Sequence, residues 1–558
     1  MSDIIKTQRS LALKAKHNPT HKFDHLYRLI CQEAWIHKAL SLVLSNKGAR
    51  TAGIDGATRA TYDSPEAYIA LIREIQQELR EKRFRPAPVR RVQIPKANGK
   101  MRPLGIATIK DRVVQMLLKM VLEPIWESDF LNCSNGFRPG RKTMDCIAAL
   151  DSDINNQSKH FWVIEGDIQG AFDNVQHDIL LKCLAERIAD QRLLKLIKCF
   201  LKAGLMEHGL FQRTELGVPQ GAICAPLLAN VYLHQLDRYW WNKYGSLRPK
   251  QKEYRRKKHL GNCALIRYAD DWLILTNGSK AEAYRLRDEF QTFLQEELKL
   301  ELSVEKTHIT HVNNGFDFLG YHIRRYVSGH DRPKMLVTPT RKAQERLKAK
   351  VKEMTARKRY KDQPLLKLSA LNAVLRGWII YYRHCNAKQT AKALDFWVPK
   401  RLFIWLKNRH RLPTRKILSM YKLRQGGKRD NFGVRKGETT LYLYRMSDLP
   451  ITKYRSRTHP HPYLSEEWET TTEEAETPLS NYVWLGNAEN NEQWRVIKEE
   501  VMAERGAKCV RCGSTANLDL HHIKARRYGG KDVKANAQLL CETCHVQTTP
   551  YGDHKRLQ

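Results

Sequence analysis

Apolar residues recur along this chain at two periods, every three or four positions and every second position, and the changes between them mark out its elements. Within the first fifty residues Leu26, Ile30, Ala34, His37, Leu40 and Leu44 predict helix, with His37 as a core histidine on that face. Gly53-Ile54-Asp55-Gly56 breaks the pattern as a turn. Residues 94–106 read as a hairpin turning at Asn98-Gly99, with Lys96, Lys100 and Arg102 on its arms. Helix resumes from Asp111 to Leu122, and Asn135 to Arg141 forms a basic loop. An apolar strand then delivers Asp167 at or near its end, while Asp173 reads as a helix cap or packing residue. The breaker-rich turn Gly217-Val218-Pro219-Gln220-Gly221-Ala222 precedes a helix from Pro226 to Leu233.

Ala264-Leu265-Ile266 and Leu273-Ile274-Leu275 flank Arg267-Tyr268-Ala269-Asp270-Asp271-Trp272, which predicts a hairpin with an acid pair at its turn. A helix over 281–298 carries Leu286, Phe290, Phe293, Leu294 and Leu298, and short strands and turns follow at 302–307 and 315–320. Over 363–384 one helical face holds Leu365, Leu368, Leu371, Leu375, Trp378, Ile379 and Tyr382. Asn372, Arg376, Arg383 and His384 lie off that face. From 399 to 460 lysine and arginine crowd out the periodic apolar residues, which reads as a DNA-binding segment or a solvated basic linker. Glu466 to Glu476 is acidic and threonine-rich, the composition of a linker.

Composition narrows the partners. The 558 residues imply several domains, and the formal net charge of +38 points to a polyanion, most simply nucleic acid. No run of about 18 apolar residues occurs, so no membrane partner is expected. The N-terminus lacks the apolar core of a secretory signal. Eight of the twelve cysteines stand singly, as reduced thiols do, and a reducing cytoplasm fits them.

Two stretches carry chemistry. Adjacent carboxylates at a hairpin tip repel each other and become tolerable when a divalent cation sits between them and a third ligand. Asp167, at a strand end, suits that third place. In the tail, Cys509 and Cys512 pair with Cys541 and Cys544 at the ligand spacing of a tetrahedral structural zinc. The interval between pairs is longer than in a plain zinc ribbon, and it carries His521-His522, Tyr528-Gly529-Gly530 and Asn536. His545 follows the last cysteine.

Asp167, the Gly217-Val218-Pro219-Gln220-Gly221 turn, Tyr268-Ala269-Asp270-Asp271 and Ser303-Val304-Glu305-Lys306-Thr307 stand in the order and approximate spacing of a reverse transcriptase. With the basic hairpin and the Gly53-Ile54-Asp55-Gly56 turn, residues 25–425 resemble bacterial group II intron-encoded proteins. The tail resembles an HNH endonuclease. Ala222 and Ala225 depart from the family pattern, standing where glycine and serine are more usual.

The resemblance implies an α+β multidomain protein: a right-hand polymerase with fingers, an antiparallel palm sheet and a helical thumb, plus a small zinc-stapled ββα HNH module. Its expected divisions are 1–325 for fingers and palm, 326–425 for the thumb or maturase domain, 426–490 for a DNA-binding segment and acidic linker, and 491–558 for the nuclease. It implies two Mg²⁺ on Asp167, Asp270 and Asp271, with Lys96 and Arg102 on the triphosphate. Gln220 would meet the incoming nucleotide or template. Phe172 would sit under the sugar, against plain core packing as the alternative. Lys306 would approach the pyrophosphate, or be an ordinary surface lysine. In the tail, His521 and His545 would bind the nuclease metal, His522 would activate water and Asn536 would orient its loop; the alternative is a purely structural zinc module. Arg376 and Arg383 would contact RNA. The expected partners are intron RNA, target DNA and dNTPs, and the expected location is the cytoplasm in association with the nucleoid. Two other readings compete, a related reverse transcriptase recruited to defence or repair and an RNA-binding splicing factor.

Overall fold

The computed structural model describes residues 2–95, 101–155, 160–207, 210–212, 215–218, 221–327, 333–425, 429–437, 439–454, 459–465, 500–504, 506–510, 512–515, 518–522, 534 and 537–541. The chain divides into two compact units, Met1–His311 with Ser456–Asn487, and Val312–Arg455 with Ala488–Gln558. Among the described residues no helix is long and apolar enough to cross a membrane.

The core of the first unit gathers around the helix Ile109–Asp129, which buries residues on most of its circumference, from Ile109 and Val113 to Ile125 and Trp126. Thr108 caps it by accepting the Asp111 N–H, and its hydroxyl donates to the buried Asp111 carboxylate at 2.7 Å. The helix starts two residues before the sequence expectation and runs seven beyond it, through Pro124. Before it, the single periodic face expected over 26–44 is split into Leu26–Ile30 and Glu33–Ser45. The break shifts the register, so Ile30, His37, Leu40 and Leu44 are buried but Ala34 is exposed. His37 is a core histidine as expected, and burial lowers its pKa.

Two sheets hang on this core. One has the order Met101–Ile106, Val89–Pro95, Leu205–Glu207, Leu210–Gln212. Its first two strands are antiparallel arms of the expected basic hairpin, with Arg102 opposite Ile94. The turn of that hairpin, with Lys96, lies outside the described residues. The other sheet is antiparallel throughout, in the order Cys263–Tyr268, Asp271–Thr276, Trp162–Asp167, His308–His311. The helix Lys280–Glu297 covers it with Leu286, Phe290 and Leu294, and the rings of Trp272 and Phe290 lie 4.1 Å apart. Asp173 is not the N-cap of the next helix: it lies exposed in the turn after Trp162–Asp167, and Gln176 holds that N-cap position.

A late segment returns to this unit. The Tyr463 hydroxyl donates to the Glu123 carboxylate at 2.6 Å, His461 Nε2 lies 3.0 Å from Ser128 Oγ, and His459 pairs with Asp145 at 3.2 Å. The expected linker Glu466 to Glu476 is outside the described residues.

In the second unit a three-stranded sheet ordered Pro333–Pro339, Tyr321–Val327, Phe316–Phe318 precedes the helices Arg341–Met354, Pro364–Tyr381, Lys388–His410 and Thr414–Tyr421. The expected face of Pro364–Tyr381 is the packed one: Leu368, Leu371, Leu375 and Ile379 are buried. The stretch from 399, which its composition reads as a DNA-binding segment or a solvated basic linker, is built into regular elements. It holds the rest of a helix burying Leu394, Val398, Leu402 and Trp405, then a sheet of Lys422–Gln425, Arg429–Lys436 and Thr439–Tyr442. Asn372, off the apolar face, splices that sheet edge by donating to Tyr442 O at 2.8 Å and accepting from Tyr444 N–H at 2.7 Å.

The tail has its own small core of Val501, Cys509, Leu518, Ala537, Leu539, Leu540 and Cys541. Its strands Leu518–His522 and Ala537–Cys541 pair antiparallel, with His522 opposite Ala537.

Candidate active site and metal centre

Asp167 and Asp271 are direct partners across the antiparallel pair, at the end where both strands stop. Directly opposed residues share a face of the sheet, so two carboxylates stand side by side there. Asp270 lies in the two-residue turn immediately before Asp271, as the sequence predicts. Burial, reinforced by the charges of Asp270 and Asp167, pushes the Asp271 carboxyl up to about 6, against the opposing pull of Lys306. Unlike most surface acids, this cluster has a standing demand for positive charge.

Lys306 meets part of that demand, for its ammonium is ion-paired with the Asp167 carboxylate. The backbone puts it there. Gln169 N–H donates to Glu301 O, Ser303 N–H to Asp167 O and Lys306 N–H to Ser303 O, tying the Val304–Lys306 turn to the strand end. The three carboxylates reach one edge of the sheet but do not all close to within 4.8 Å of one another. As donors they are hard oxygens, the type that Mg²⁺ takes.

The acid turn is strained and held from beneath. Ala269 has φ +58°, a left-handed conformation that costs a residue with a Cβ about 1–2 kcal/mol. Its carbonyl accepts from Arg267 Nη1 at 2.9 Å. That guanidinium is fully buried, and it also donates to Asp237 Oδ1 at 2.9 Å, to Asn230 Oδ1 at 3.0 Å and to Ser134 Oγ at 2.8 Å. Asn230 in turn donates to Gly136 O at 2.8 Å. Gly136 packs so closely on the turn that a Cβ there would come 2.2 Å from Ala269 N. Arg267 and Gly136 stand in motifs that the sequence marks, but neither they nor Asp237, Asn230 and Ser134 are assigned a supporting role from it. A signal existed, because Arg267 has the parity of the inward-facing Cys263 and Leu265, and Asp237 lies on the apolar face of its helix with Leu233 and Trp240.

Phe172 is half-buried and not a core residue. It lines a small recess with Asp270, Ala269, Asn230 and Phe137, and meets the Phe137 ring edge-on at 6.3 Å. Its carbonyl accepts from Val218 N–H at 2.8 Å, which sets the Gly217-Val218 turn behind it. Gln220 lies outside the described residues, and of Arg102 only the backbone position is described.

In the tail, Cys509, Cys512 and Cys541 place their sulfurs all within 4.8 Å of one another, with Cys512 and Cys541 3.5 Å apart. All three are free thiols. A tight turn presents the first pair: Gly513 N–H donates to Cys509 O, Cys509 N–H to Ser514 O, and Val510 N–H to Leu539 O of the second strand. Three thiols at this separation form an incomplete tetrahedral set that can hold zinc. Cys544, His545 and Asn536 lie outside the described residues, and only the backbone of His521 and His522 is described. Arg376 stacks on the Tyr444 ring at 5.1 Å, and Arg383 is half-buried.

A strand-end acid opposite a hairpin acid pair, with a lysine turn beside them, is a set of hard oxygen donors able to hold divalent ions, and the family match over the residues that carry it makes this a polymerase of the reverse transcriptase class. Residues 94–323 match the reverse transcriptase (RNA-dependent DNA polymerase) family, 344–422 the group II intron maturase-specific domain and 509–550 the HNH endonuclease family. The chain is 37% identical over 358 residues to protein YkfC of Escherichia coli strain K12, covering 61% of this chain and 93% of that protein. It is 33% identical over 375 residues to the group II intron-encoded protein LtrA of Lactococcus lactis subsp. cremoris, covering 59% of this chain and 61% of LtrA. It is 26% identical over 292 residues to nuclear intron maturase 1, mitochondrial, of Arabidopsis thaliana, covering 39% of this chain and 41% of that protein. The chain belongs to the group II intron-encoded proteins, reverse transcriptase–maturases that here carry an HNH endonuclease domain.

Proposed function

We propose that this chain binds the RNA of a group II intron, assists its splicing, and copies it into DNA at a target site nicked by its own tail. The pairing of Asp167 with Asp271, beside Asp270, carries the polymerase part of this reading. In it the antiparallel sheet is the palm, the elements around 89–106 belong to the fingers, and the helices from Arg341 onward form the thumb. The divisions are 1–325, 326–425, 426–490 and 491–558. When bound, two Mg²⁺ lower the pKa of the primer 3′-hydroxyl and neutralise the leaving pyrophosphate.

The side chains do the rest. Asp167, Asp270 and Asp271 hold the ions, and the register that sets Asp167 opposite Asp271 beside Asp270 supports that reading. Lys306, already against Asp167, is within the neighbourhood where a proton must reach the pyrophosphate. Phe172, beside Asp270 in the recess, lies under the sugar and excludes a 2′-hydroxyl. Lys96 and Arg102 take the triphosphate of the dNTP, and Gln220 the nucleotide or template. Arg376 and Arg383 contact intron RNA. In the tail four thiolates hold structural Zn²⁺, His521 and His545 hold a divalent ion, His522 activates water and Asn536 orients its loop. Such a protein works in the cytoplasm, on the nucleoid. The maturase-specific stretch and the intron-encoded relatives disfavour a polymerase recruited to defence or repair.

Asp271→Asn tests the polymerase reading. It should abolish primer extension on an RNA template in Mg²⁺ and leave RNA affinity nearly unchanged, because affinity comes from diffuse basic surface. Extension at full rate would remove Asp271 from the site.

A further inference from the structure

The first unit carries a second, larger concavity that none of the three carboxylates lines. It is an open groove of about 1350 Å³ formed by the helices His177–Ala185 and Gln191–Leu201 and the strand Leu210–Gln212. Pockets for drug-sized ligands run to about 300–1,000 Å³, so this one suits a segment of polymer. Lys182, Lys195, Lys198 and Lys202 line it, all exposed, and none forms an ion pair among the described residues. Lys195, Lys198 and Lys202 recur three and four residues apart, as one stripe along a helix face. Against them stand two lining carboxylates, Asp178 and Glu215.

At the lip stands Phe211, 52% exposed. Its ring rests on Gly204, where an added Cβ would lie 2.5 Å from it, so the aromatic is propped in place. A fixed, half-exposed aromatic beside a row of unpaired cations is the pattern that single strands use, with phosphates on lysine and a base on the ring.

We propose that this groove binds a single-stranded RNA segment, with a base stacked on Phe211 and the phosphates following Lys195, Lys198 and Lys202. The inference rests on the reading of this chain as an RNA-handling polymerase, but uses none of its proposed site residues. It gives the protein a hold on RNA separate from the acid site. The groove wall connects to the Phe172 turn through His177, whose Nε2 lies 2.8 Å from Gly217 O.

The test replaces Phe211 in the full chain with the photoreactive p-benzoylphenylalanine. The probes are an oligouridylate of about twelve nucleotides, within the range of single-strand sites, its deoxyuridylate counterpart and a duplex RNA. The single-stranded RNA should crosslink. Combining the change with Lys195→Gln, Lys198→Gln and Lys202→Gln should cut that crosslink at least fivefold. The three lysine changes alone should make the salt dependence of RNA binding shallower by about 2, at about 0.7 per lost phosphate contact. Absence of an RNA crosslink, equal capture of the DNA or duplex, or a crosslink into this chain's own acidic stretch Glu466 to Glu476 would each overturn the proposal. Primer extension on a short template by the lysine variant separates the two readings. If the Phe211-substituted chain with its lysines intact gives no RNA crosslink while extension persists, only the groove assignment falls; if the unmodified protein does not extend, the polymerase reading falls.

Discussion

At the scale of single residues, the acid site shows which chemistry a local motif declares and which it conceals. The Asp270-Asp271 turn and the strand end at Asp167 were legible, because hairpin and strand signals are local. That Asp167 falls opposite Asp271, more than a hundred residues away, is a register, and no local pattern encodes it. Arg267 was equally hidden, since its meaning depends on Asp237 and Asn230 of one helix and Ser134 of a separate loop arriving from two other segments. Removing one partner of a buried ion pair leaves the other uncompensated, at a cost of about 3–5 kcal/mol. Arg267→Met should therefore lower the thermal midpoint sharply and abolish extension, whereas Arg267→Met with Asp237→Leu should recover much of the midpoint and little of the extension. Equal destabilisation by the single and double variants would deny the pair this role. Phe172 makes a subtler prediction. Phe172→Val shrinks the wall of the recess beside Asp270, so ribonucleotides should be incorporated at a markedly higher rate relative to dNTPs. Unaltered discrimination would return Phe172 to a packing role.

Among the elements, the helix Ile109–Asp129 shows how a packed segment depends on one capping group. Asp111 is 3% exposed, and burial pushes its carboxyl from an ordinary 3.8 up to about 6, with Thr108 and the Ala87 N–H pulling the other way. A folded-state pKa above the unfolded one means the native protein holds this proton more tightly. Its stabilising effect is present below about pH 4 and is lost as the pH rises through about 6. Asp111→Asn keeps an oxygen acceptor for Thr108 and Ala87 and has no charge to bury. Relative to the parent, its stability should rise between pH 4 and pH 7, by up to roughly 3 kcal/mol at about 1.4 kcal/mol per pKa unit. Denaturant melts of both proteins across that range measure the difference, and a gap independent of pH would contradict it. The helix itself was legible from its apolar period, and so was the packed face of Pro364–Tyr381. The Lys388–His410 helix was missed although Leu394, Val398, Leu402 and Trp405 keep a helical spacing. Lysine and arginine between them lowered the mean hydropathy enough to mask a narrow apolar stripe.

Across the whole molecule, the candidate sites are divided among parts that offer separate sets of metal ligands and have separate cores. The first unit owns the acid cluster, and the tail owns the cysteine cluster and a core of its own residues. The segment carrying His459, His461 and Tyr463 returns to the first unit, a long-range contact that a composition read as DNA-binding segment and linker does not reveal. A tail with so small a core would depend on a zinc held by its cysteines for folding, because metal binding would then supply much of the folding free energy. Cys509→Ser should lose one zinc per chain and make residues beyond about 500 protease-sensitive. Extension from a supplied primer should persist, since the acid cluster belongs to another core. His522→Ala acts on chemistry and not on the staple, and it should keep both zinc and protease resistance. It should still abolish cutting of the target strand, because no group remains to activate the attacking water. A primer with a free 3′-hydroxyl should then bypass the loss, giving normal extension from a protein that cannot nick. Zinc content, limited proteolysis and strand cutting on a target duplex, run side by side, separate the two variants. Normal cutting by His522→Ala would reduce the tail to a zinc-stapled DNA-binding module, and loss of extension by Cys509→Ser would show that the two parts do not fold independently.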